Sequence, residues 1–297
     1  MDQRMLFIYN PRAGKAQIRS NLLDIIDIFV KAGYEVTAYP TQAAGDAIKA
    51  VKERRAGYDI VACSGGDGTL DEVVSGMMQC EEKVPIGYVP AGSTNDFANS
   101  LKIPKSMIKA ADVVVNGRDF ACDIGSLNNH NFIYVAAFGI FTDVSYETNQ
   151  DVKNVLGHAA YLLEGVRRLP MVRSYALKVS YDDQVIEGDF LYGMVTNSFS
   201  VAGFRGITGK DVLLDDGLFE VTLIRKPTNP LDLNNIIMAL VDKRVKSEYI
   251  YTFKTPRLTV ESEENVPWTV DGEFGGEHMK AVIENKQKVL HIRIPNE

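Results

Sequence analysis

One stretch of the sequence, Ser64-Gly65-Gly66-Asp67-Gly68-Thr69, combines glycines, a carboxylate and hydroxyls between an apolar run and a helix-like segment. Glycines let backbone N–H groups approach a ligand, and a helix N-terminus favours bound phosphate. Asp67 offers only acceptors, so it would repel a bare phosphate unless a hard cation such as Mg²⁺ lay between them. This stretch therefore predicts a site for a nucleoside triphosphate with a metal ion.

Two common phosphate-binding loops do not match this chain. The Walker A pattern GxxxxGK[ST] is fitted neither by Gly14-Lys15-Ala16 nor by Gly209-Lys210-Asp211. The dinucleotide pattern GxGxxG fails because Asp71 stands where the third glycine is required. An ordinary tight turn between a strand and a helix is the simpler alternative, but Asp67 is a poor choice for turn geometry alone.

Two further polar loops follow apolar runs: Asn10-Pro11-Arg12-Ala13-Gly14-Lys15 and Ala91-Gly92-Ser93-Thr94-Asn95-Asp96. Strand-like runs at 4–9, 34–39, 58–63 and 85–89 alternate with helical patterns, which predicts a parallel sheet with helices on both faces. Such a doubly wound α/β sheet binds ligands at the carboxyl ends of its strands. We therefore expect all three loops to share one crevice.

The pattern changes after Asn116-Gly117, and an antiparallel β-sandwich is predicted from there on. The strand-like runs are 118–127, 132–138, 175–181, 185–196, 218–224, 254–260 and 289–294, with helices predicted over 152–168 and 233–241. The predicted domains are an α/β nucleotide-binding domain at 1–127 and a β-rich domain at 128–287. The final strand, at about 288–297, is expected to return to the first domain.

Composition excludes some classes of protein. The 297 residues are 45% hydrophobic and carry a net charge of −7, which argues against a general nucleic-acid binder. No apolar run reaches the roughly 18 residues that a membrane-spanning helix needs. The N-terminus has no signal-peptide pattern, so a cytoplasmic location is expected.

The three loops, in this order and spacing, resemble the catalytic domain of the diacylglycerol kinases, most closely the soluble bacterial enzymes and related lipid kinases. Sphingosine and ceramide kinases, and more distantly NAD kinases, belong to the wider family. The resemblance covers essentially the whole chain. It extends through five later motifs: Asp123-Ile124-Gly125, Asn197-Ser198, Ala202-Gly203-Phe204, Leu214-Asp215-Asp216-Gly217-Leu218 and Val270-Asp271-Gly272-Glu273.

The resemblance implies roles for individual residues. The implied ATP site is Asn10, Pro11, Arg12, Ala13, Gly14, Lys15, Thr41, Gly65, Gly66, Asp67, Gly68, Thr69, Leu70, Asp71, Glu72 and Thr94. Asp67 would hold the catalytic Mg²⁺, with Asp96 and Asp123 in an acidic, water-linked network behind it. A structural Mg²⁺ would bind the Asp216 side chain and the carbonyl oxygens of Leu213 and Leu218. Glu273 is the first choice for the base that deprotonates the lipid, and Asp271 is the second.

One position departs from the family pattern. Asp71 stands where the family usually has Asn, and a carboxylate lacks the donor that an amide provides. A negative charge in the first helical turn suits the helix dipole, but near ATP oxygens it would repel them. The nucleotide contact expected at residue 71 is therefore in question.

The implied function is an ATP- and Mg²⁺-dependent kinase that converts diacylglycerol to phosphatidic acid while peripherally associated with the inner face of the membrane. Basic residues that could contact lipid are Arg167, Arg168, Arg173 and the cluster at 243–246. The family also implies a homodimer. Two alternatives remain: a kinase of another lipid alcohol, such as a sphingoid base, or of NAD, and a lipid- or nucleotide-binding regulator impaired in catalysis through Asp71.

Overall fold

The computed structural model describes residues 3–14, 16–139, 173–201, 204–205, 212–241 and 247–296. Several predictions concern residues outside these ranges: Lys15, Ala202, Gly203, Arg167, Arg168, the helix over 152–168 and the basic cluster at 243–246. Within the described ranges, no helix is both long enough and apolar enough to cross a membrane.

Strands and helices alternate in the first part of the chain. The elements are β1 (Gln3–Tyr9), α1 (Ile18–Lys31), β2 (Tyr34–Pro40), α2 (Asp46–Arg54), β3 (Ile60–Gly65), α3 (Asp67–Met78), β4 (Ile86–Pro90), α4 (Asp96–Ser100) and α5 (Met107–Asn116). The strands pair in parallel, as predicted, and their order in the sheet is β2-β1-β3-β4. Strands β3 and β4 are buried along their whole length, which explains their continuous apolar sequence.

The helices of the first part pack in two pairs, and α3 begins directly after the end of β3. Helix α1 packs against α5, and α2 packs against α3. The buried residues of α1, Ile18, Ile25 and Phe29, recur at helical spacing and form one face. A Cβ atom on Gly76 of α3 would lie only 2.9 Å from the carbonyl oxygen of Ile48 in α2, so glycine permits this approach. Helix α3, which begins at Asp67, therefore packs closely against α2.

The second part of the chain is largely antiparallel. Its elements are β5 (Arg118–Leu127), β6 (His130–Phe132), β7 (Val135–Gly139), β8 (Tyr175–Tyr181), β9 (Gln184–Thr196), β10 (Ser200–Val201), β11 (Phe204–Arg205), β12 (Phe219–Arg225), α6 (Pro230–Val241), β13 (Ile250–Thr255), β14 (Arg257–Val270) and β15 (Glu273–Ile294). Aromatic residues fill its core: Phe138 meets Trp268 edge-on with ring centroids 5.0 Å apart, and Phe132 stacks on Phe219 at 5.5 Å. An α/β region followed by a β-rich region is the predicted class.

The long strand β15 joins the two parts. It pairs with β14 near its start and with β5 along much of its length, and near its end Ile292 pairs in parallel with Ile86 of β4. The pairing with β5 shifts register between Lys286 and Leu290, where Lys288 has a φ of 52°. The sequence predicted only residues 289–294 of this strand, because much of its earlier part is exposed and shows little apolar signal.

Candidate active site

Backbone contacts between glycines bring the three predicted loops together. Gly14 has a φ of 54°, and a Cβ there would lie 2.2 Å from the carbonyl oxygen of Ala91. A Cβ on Gly92 would lie 2.7 Å from the Cα of Gly66. These distances exclude larger residues, so glycine is required for the loops after β1, β3 and β4 to meet. The expected convergence at one edge of the parallel sheet is therefore present in the structure.

A cavity of about 420 Å³ lies between these loops and the segment that follows β2. Its lining residues are Asn10, Arg12, Ala13, Gly14, Thr41, Gln42, Ala43, Ala44, Gly66, Gly68, Thr69 and Glu72. The volume is within the usual range for a small-molecule site. Most of these residues were expected at the ATP site. Sequence reasoning missed residues 42–44, although a loop that follows a parallel strand was the signal that could have found them.

Other residues of the predicted ATP set lie around the cavity but are not among its lining residues. They are Pro11, Gly65, Asp67, Leu70, Asp71 and Thr94. Gly65 has a packing role, because a Cβ there would lie 2.3 Å from the Thr69 hydroxyl oxygen. Leu70 is buried, while Thr94 is exposed and its carbonyl oxygen accepts a hydrogen bond from the Asn99 amide.

Glu72 lines the cavity and accepts hydrogen bonds from the start of α2. Its two carboxylate oxygens accept hydrogen bonds from the backbone N–H groups of Gly45, at 2.8 Å, and Ala47, at 3.1 Å. These donors lie at the N-terminus of α2, where backbone N–H groups lack helical partners and a negative charge is favourable. Glu72 therefore ties α3 to the start of α2 as well as lining the cavity.

Asp67 begins α3 and faces the start of α4. Its carboxylate accepts backbone hydrogen bonds from Asn95, Asp96 and Phe97, yet burial and the nearby Asp96 charge raise its pKa to about 6. One of its oxygens, Oδ1, is closed to solvent and has no hydrogen-bond partner in the described part of the chain. An unsatisfied anionic oxygen on the residue between Gly66 and Gly68, which both line the cavity, fits the ligand chemistry of Mg²⁺.

Asp271 occupies the turn between β14 and β15, with a φ of 50°. Its carboxylate accepts hydrogen bonds from the backbone N–H groups of Ile133 at 2.6 Å, Tyr134 at 3.1 Å and Val135 at 2.9 Å. The Tyr134 hydroxyl donates to the Asp271 carbonyl oxygen at 3.0 Å. Burial raises the pKa of Asp271 to about 6 in spite of these donors. The carboxylate is therefore held rigidly in a place where its charge is costly.

Asp71 reaches from α3 to this turn. Its carboxyl group lies within hydrogen-bonding reach of the Asp271 carboxyl group, and its Oδ1 is closed to solvent and has no hydrogen-bond partner among the described residues. Burial, followed by the charge and hydrogen bond of Asp271 and the charges of Glu72 and Glu273, raises the pKa of Asp71 well above its usual range. Asp71 thus faces the β14–β15 turn and is not among the residues that line the cavity.

The charges of four carboxyl groups act on the phenol of Tyr134. Burial and the charges of Asp271, Asp67, Asp96 and Asp71 raise the pKa of its phenol well above the usual range. Sequence reasoning did not select Tyr134, because a tyrosine in an apolar strand-like run carries no distinguishing signal. The structure therefore brings both ends of the chain to one acidic centre beside the cavity.

Asp123 lies in different surroundings, with Asp216 close enough to affect its titration. It is fully buried, and its carboxylate accepts hydrogen bonds from the N–H groups of Gly217 at 2.7 Å and Lys288 at 2.8 Å. Burial is the main cause that raises its pKa, and the Asp216 charge adds to this effect. Asp123 therefore links the turn before β12 to the register shift in β15.

The residues expected at a structural Mg²⁺ site lie near a lysine. The ammonium of Lys254 is 3.8 Å from Asp216 Oδ2 and 2.9 Å from Glu220 Oε1. Asp216 Oδ1 accepts the N–H of Leu218 at 3.0 Å, and Leu213 is exposed. Because the carboxylate already has an ammonium and an N–H beside it, these residues fit a metal ion less well than Asp67 does. Within the described ranges, no cluster of three or more Asp, Glu, His or Cys side chains is arranged to hold a metal.

Glu273 lies on the surface. It begins β15 two positions after Asp271 and is exposed, while its charge contributes to the raised pKa of Asp71. Glu273 thus borders the acidic centre from the solvent side, whereas Asp271 lies inside it.

Each of the two parts of the chain matches a known protein family. Residues 4–127 match the model of the diacylglycerol kinase catalytic domain, and residues 135–292 match the YegS C-terminal NAD kinase beta sandwich-like domain. The chain belongs to the diacylglycerol kinase family. This confirms the resemblance found in the motifs, the expectation of a kinase-family enzyme and the α/β plus β-sandwich-like class.

Curated relatives match over nearly their full length. The chain is 35% identical over 291 residues to a diacylglycerol kinase of Staphylococcus carnosus (strain TM300), covering 97% of this chain and 94% of that protein. It is 34% identical over 297 residues to a diacylglycerol kinase of Bacillus subtilis (strain 168), covering 99% and 97%. A crystal structure of a diacylglycerol kinase from Bacillus anthracis str. Sterne shares the fold, with a TM-score of 0.77 and 22% identity over 98% of this chain and 97% of that chain.

Proposed function

We propose that this chain is an ATP- and Mg²⁺-dependent lipid kinase that phosphorylates the free hydroxyl of diacylglycerol and yields phosphatidic acid. The observation that carries the proposal is the position of the acidic centre. Gly66 and Gly68 line the cavity, and Asp67 lies between them with an unsatisfied carboxylate oxygen. The names of the relatives support diacylglycerol as the acceptor.

In this proposal the cavity binds ATP. Backbone N–H groups of the glycine loops and the N-terminus of α3 face the phosphates, and the exposed Arg12 contributes positive charge. Lys15 stays a prediction for the same role. Asp67 would hold the Mg²⁺, and the bound ion would supply positive charge against the charge on the transferred phosphoryl group.

The acceptor hydroxyl enters from the side of the β14–β15 turn. We favour Asp271 over Glu273 as the base, because Asp271 lies inside the acidic centre and Glu273 lies on its exposed border. Asp271 accepts the hydroxyl proton while the new phosphorus–oxygen bond forms and the bond to the ADP oxygen breaks. The three N–H donors keep this carboxylate in a fixed position. Phosphoryl transfer depends mainly on such positioning of the reacting groups and needs little covalent catalysis.

The finer assignments belong to the same proposal. The packing of α1 with α5 and of α2 with α3 supports a doubly wound arrangement within a 1–127 domain, and the pairing of Ile292 with Ile86 supports the return of the last strand to that domain. We also propose that Asp96 and Asp123 are linked to the metal through water, since both Asp123 oxygens already accept backbone N–H groups, and that Leu213, Asp216 and Leu218 form a structural metal site. Cytoplasmic location and peripheral contact with the inner face of the membrane remain predictions from the sequence, and a homodimer remains a prediction from the family.

A lipid-phosphorylation assay tests the proposal. Purified protein receives labelled ATP, Mg²⁺ and vesicles that contain diacylglycerol, a sphingoid base or another glycerolipid, with NAD in a parallel reaction. We expect label in phosphatidic acid. Label in NAD alone would exclude a lipid kinase, and nucleotide binding without turnover on any acceptor would favour the impaired regulator.

Two substitutions distinguish the candidate bases. Asp271→Asn should lower turnover by about 10²–10⁴-fold, the range typical of general-base catalysis. Glu273→Gln should have a much smaller effect, similar to that of Glu277→Gln at an exposed position of the same strand. A large loss with Glu273→Gln alone would assign the base to Glu273 instead.

A further inference from the structure

Two carboxyl groups, those of Asp71 on α3 and Asp271 in the β14–β15 turn, lie within hydrogen-bonding reach of each other. Two carboxylate anions offer only acceptors, so a hydrogen bond between them requires one proton. The two residues come from opposite parts of the chain. The shared proton therefore lies at the place where the nucleotide-binding part meets the turn that carries the proposed base.

The hydrogen bonds around Asp271 show which residue carries the proton. The N–H groups of Ile133, Tyr134 and Val135 all donate to its carboxylate, and donors of this kind favour the charged form. In contrast, no donor to Asp71 is found among the described residues, and its Oδ1 is closed to solvent. These contacts favour the anion on Asp271 and the neutral, donating acid on Asp71.

We propose that Asp71 is a positioning residue for this reaction: in the active enzyme its carboxyl group is protonated and donates a hydrogen bond that holds the Asp271 carboxylate toward the acceptor site. This inference rests on the proposed function, because it assigns a partner to the proposed base. It also explains how a carboxyl group can occupy this position without adding a negative charge near the phosphates.

The surroundings of Asp71 make the proton essential. Asp271 faces it from the turn and Glu273 from the start of β15, Glu72 is the next residue on its own helix, and Tyr134 lies across the same centre. Asp67 and Asp96 add further negative charge around Tyr134. Loss of the Asp71 proton would place two anions in contact, which would break the hydrogen bond and repel Asp271 from its position.

The prediction concerns the dependence of turnover on pH. We expect wild-type kcat to fall about tenfold per pH unit at the alkaline end, as expected for loss of one essential proton. Asp71→Asn replaces the acid by an amide that donates at every pH, so its alkaline fall should disappear. Asp71→Leu has no donor and should lose about 10- to 100-fold in kcat at every pH. Asp24→Asn, an exposed helical carboxylate changed in the same way, should keep the wild-type profile.

A measurement without substrate keeps the inference testable apart from the function. Infrared difference spectra between wild type and Asp71→Asn should show the C=O stretch of a protonated carboxylic acid that the variant lacks. Its absence at neutral pH would overturn the inference, and so would an unchanged alkaline fall in Asp71→Asn. Wild-type protein that phosphorylates no lipid at any pH, but shows the infrared band, would refute the proposed function and leave the protonated pair established.

Discussion

The backbone of Gly14 touches the carbonyl group of Ala91, since a Cβ atom at residue 14 would lie 2.2 Å from that oxygen. This contact joins the loops after β1 and β4, which belong to separate strand–helix units. Together with the approach of Gly92 to Gly66, it brings the loops beside the cavity together through backbone contacts. The cavity therefore depends on the absence of side chains at particular positions.

Gly14→Ala should destabilise the protein. The residue has a positive φ of 54° and no room for a methyl group, so we expect a loss of about 2 kcal/mol or more in the free energy of unfolding. Gly68→Ala is the matched control, because its Cβ would meet nothing within 4 Å. As Gly68 lies in α3, that change should stabilise by up to about 1 kcal/mol. Urea unfolding of both variants tests this, and equal effects would contradict it.

Removal of the Glu72 carboxylate should weaken the junction of α2 with α3. Glu72→Ala leaves the N–H groups of Gly45 and Ala47 without their acceptor, so we expect a cost of about 1–2 kcal/mol in urea unfolding. Glu81→Ala, at an exposed position just after α3, should change stability by less than about 0.5 kcal/mol. If both substitutions had the same small effect, Glu72 would not be holding the two helices together.

Mg²⁺ should stabilise the folded protein through Asp67. A cation beside its unsatisfied oxygen relieves buried negative charge, so Tm should rise as Mg²⁺ is added in the presence of ATP. Asp67→Asn should fold, lose this rise and lose lipid phosphorylation. A variant with the full Mg²⁺-dependent rise would exclude Asp67 as the ligand, whatever its turnover.

Lys254 should stabilise the acidic turn at Asp216. Lys254→Met leaves Asp216 and the buried Glu220 without the ammonium, and we expect a loss of about 1–3 kcal/mol in chemical denaturation. If Leu213, Asp216 and Leu218 also bind a structural cation, millimolar Mg²⁺ should restore part of that stability. No effect of Mg²⁺ on either wild type or the variant, without ATP, would argue against a cation at this turn.

The stability of wild type relative to Asp71→Asn should fall as pH rises. The fold raises the pKa of Asp71, so its stabilising contribution is complete below the unfolded value of about 4 and is lost as pH rises through the folded pKa. The amide does not titrate, so the variant keeps its contribution. Urea unfolding across this pH range should therefore show an increasing advantage of Asp71→Asn, and parallel curves would contradict the raised pKa.

The parts of the site that follow from one sheet could be predicted from the sequence. Glycine loops after consecutive parallel strands must meet at one edge, so the cavity and most of its lining residues were accessible to sequence reasoning. The pairing of Asp71 with Asp271 was not, because it depends on how distant strands pack. The sequence shows Asp71 to be unusual because the family usually has Asn at this position, but it does not show the partner of Asp71.

Asp123 and Glu72 show a second limit of sequence reasoning. Both are acids in suggestive motifs, but the structure gives their oxygens to backbone N–H groups of neighbouring elements. In the sequence, a carboxylate that accepts hydrogen bonds from backbone N–H groups at a bulge or a helix end looks the same as one that binds a ligand. Only the structure shows where the N–H donors lie.

Strand β15 limits how the two parts of the molecule can move. It begins beside Asp271 and ends within the parallel sheet, so a rotation of one part against the other must bend this strand. The natural place to bend is the register shift around Lys288, whose N–H donates to Asp123. Asp123 therefore holds β15 at this register shift, and a rotation of one part of the molecule against the other would strain its hydrogen bond with Lys288.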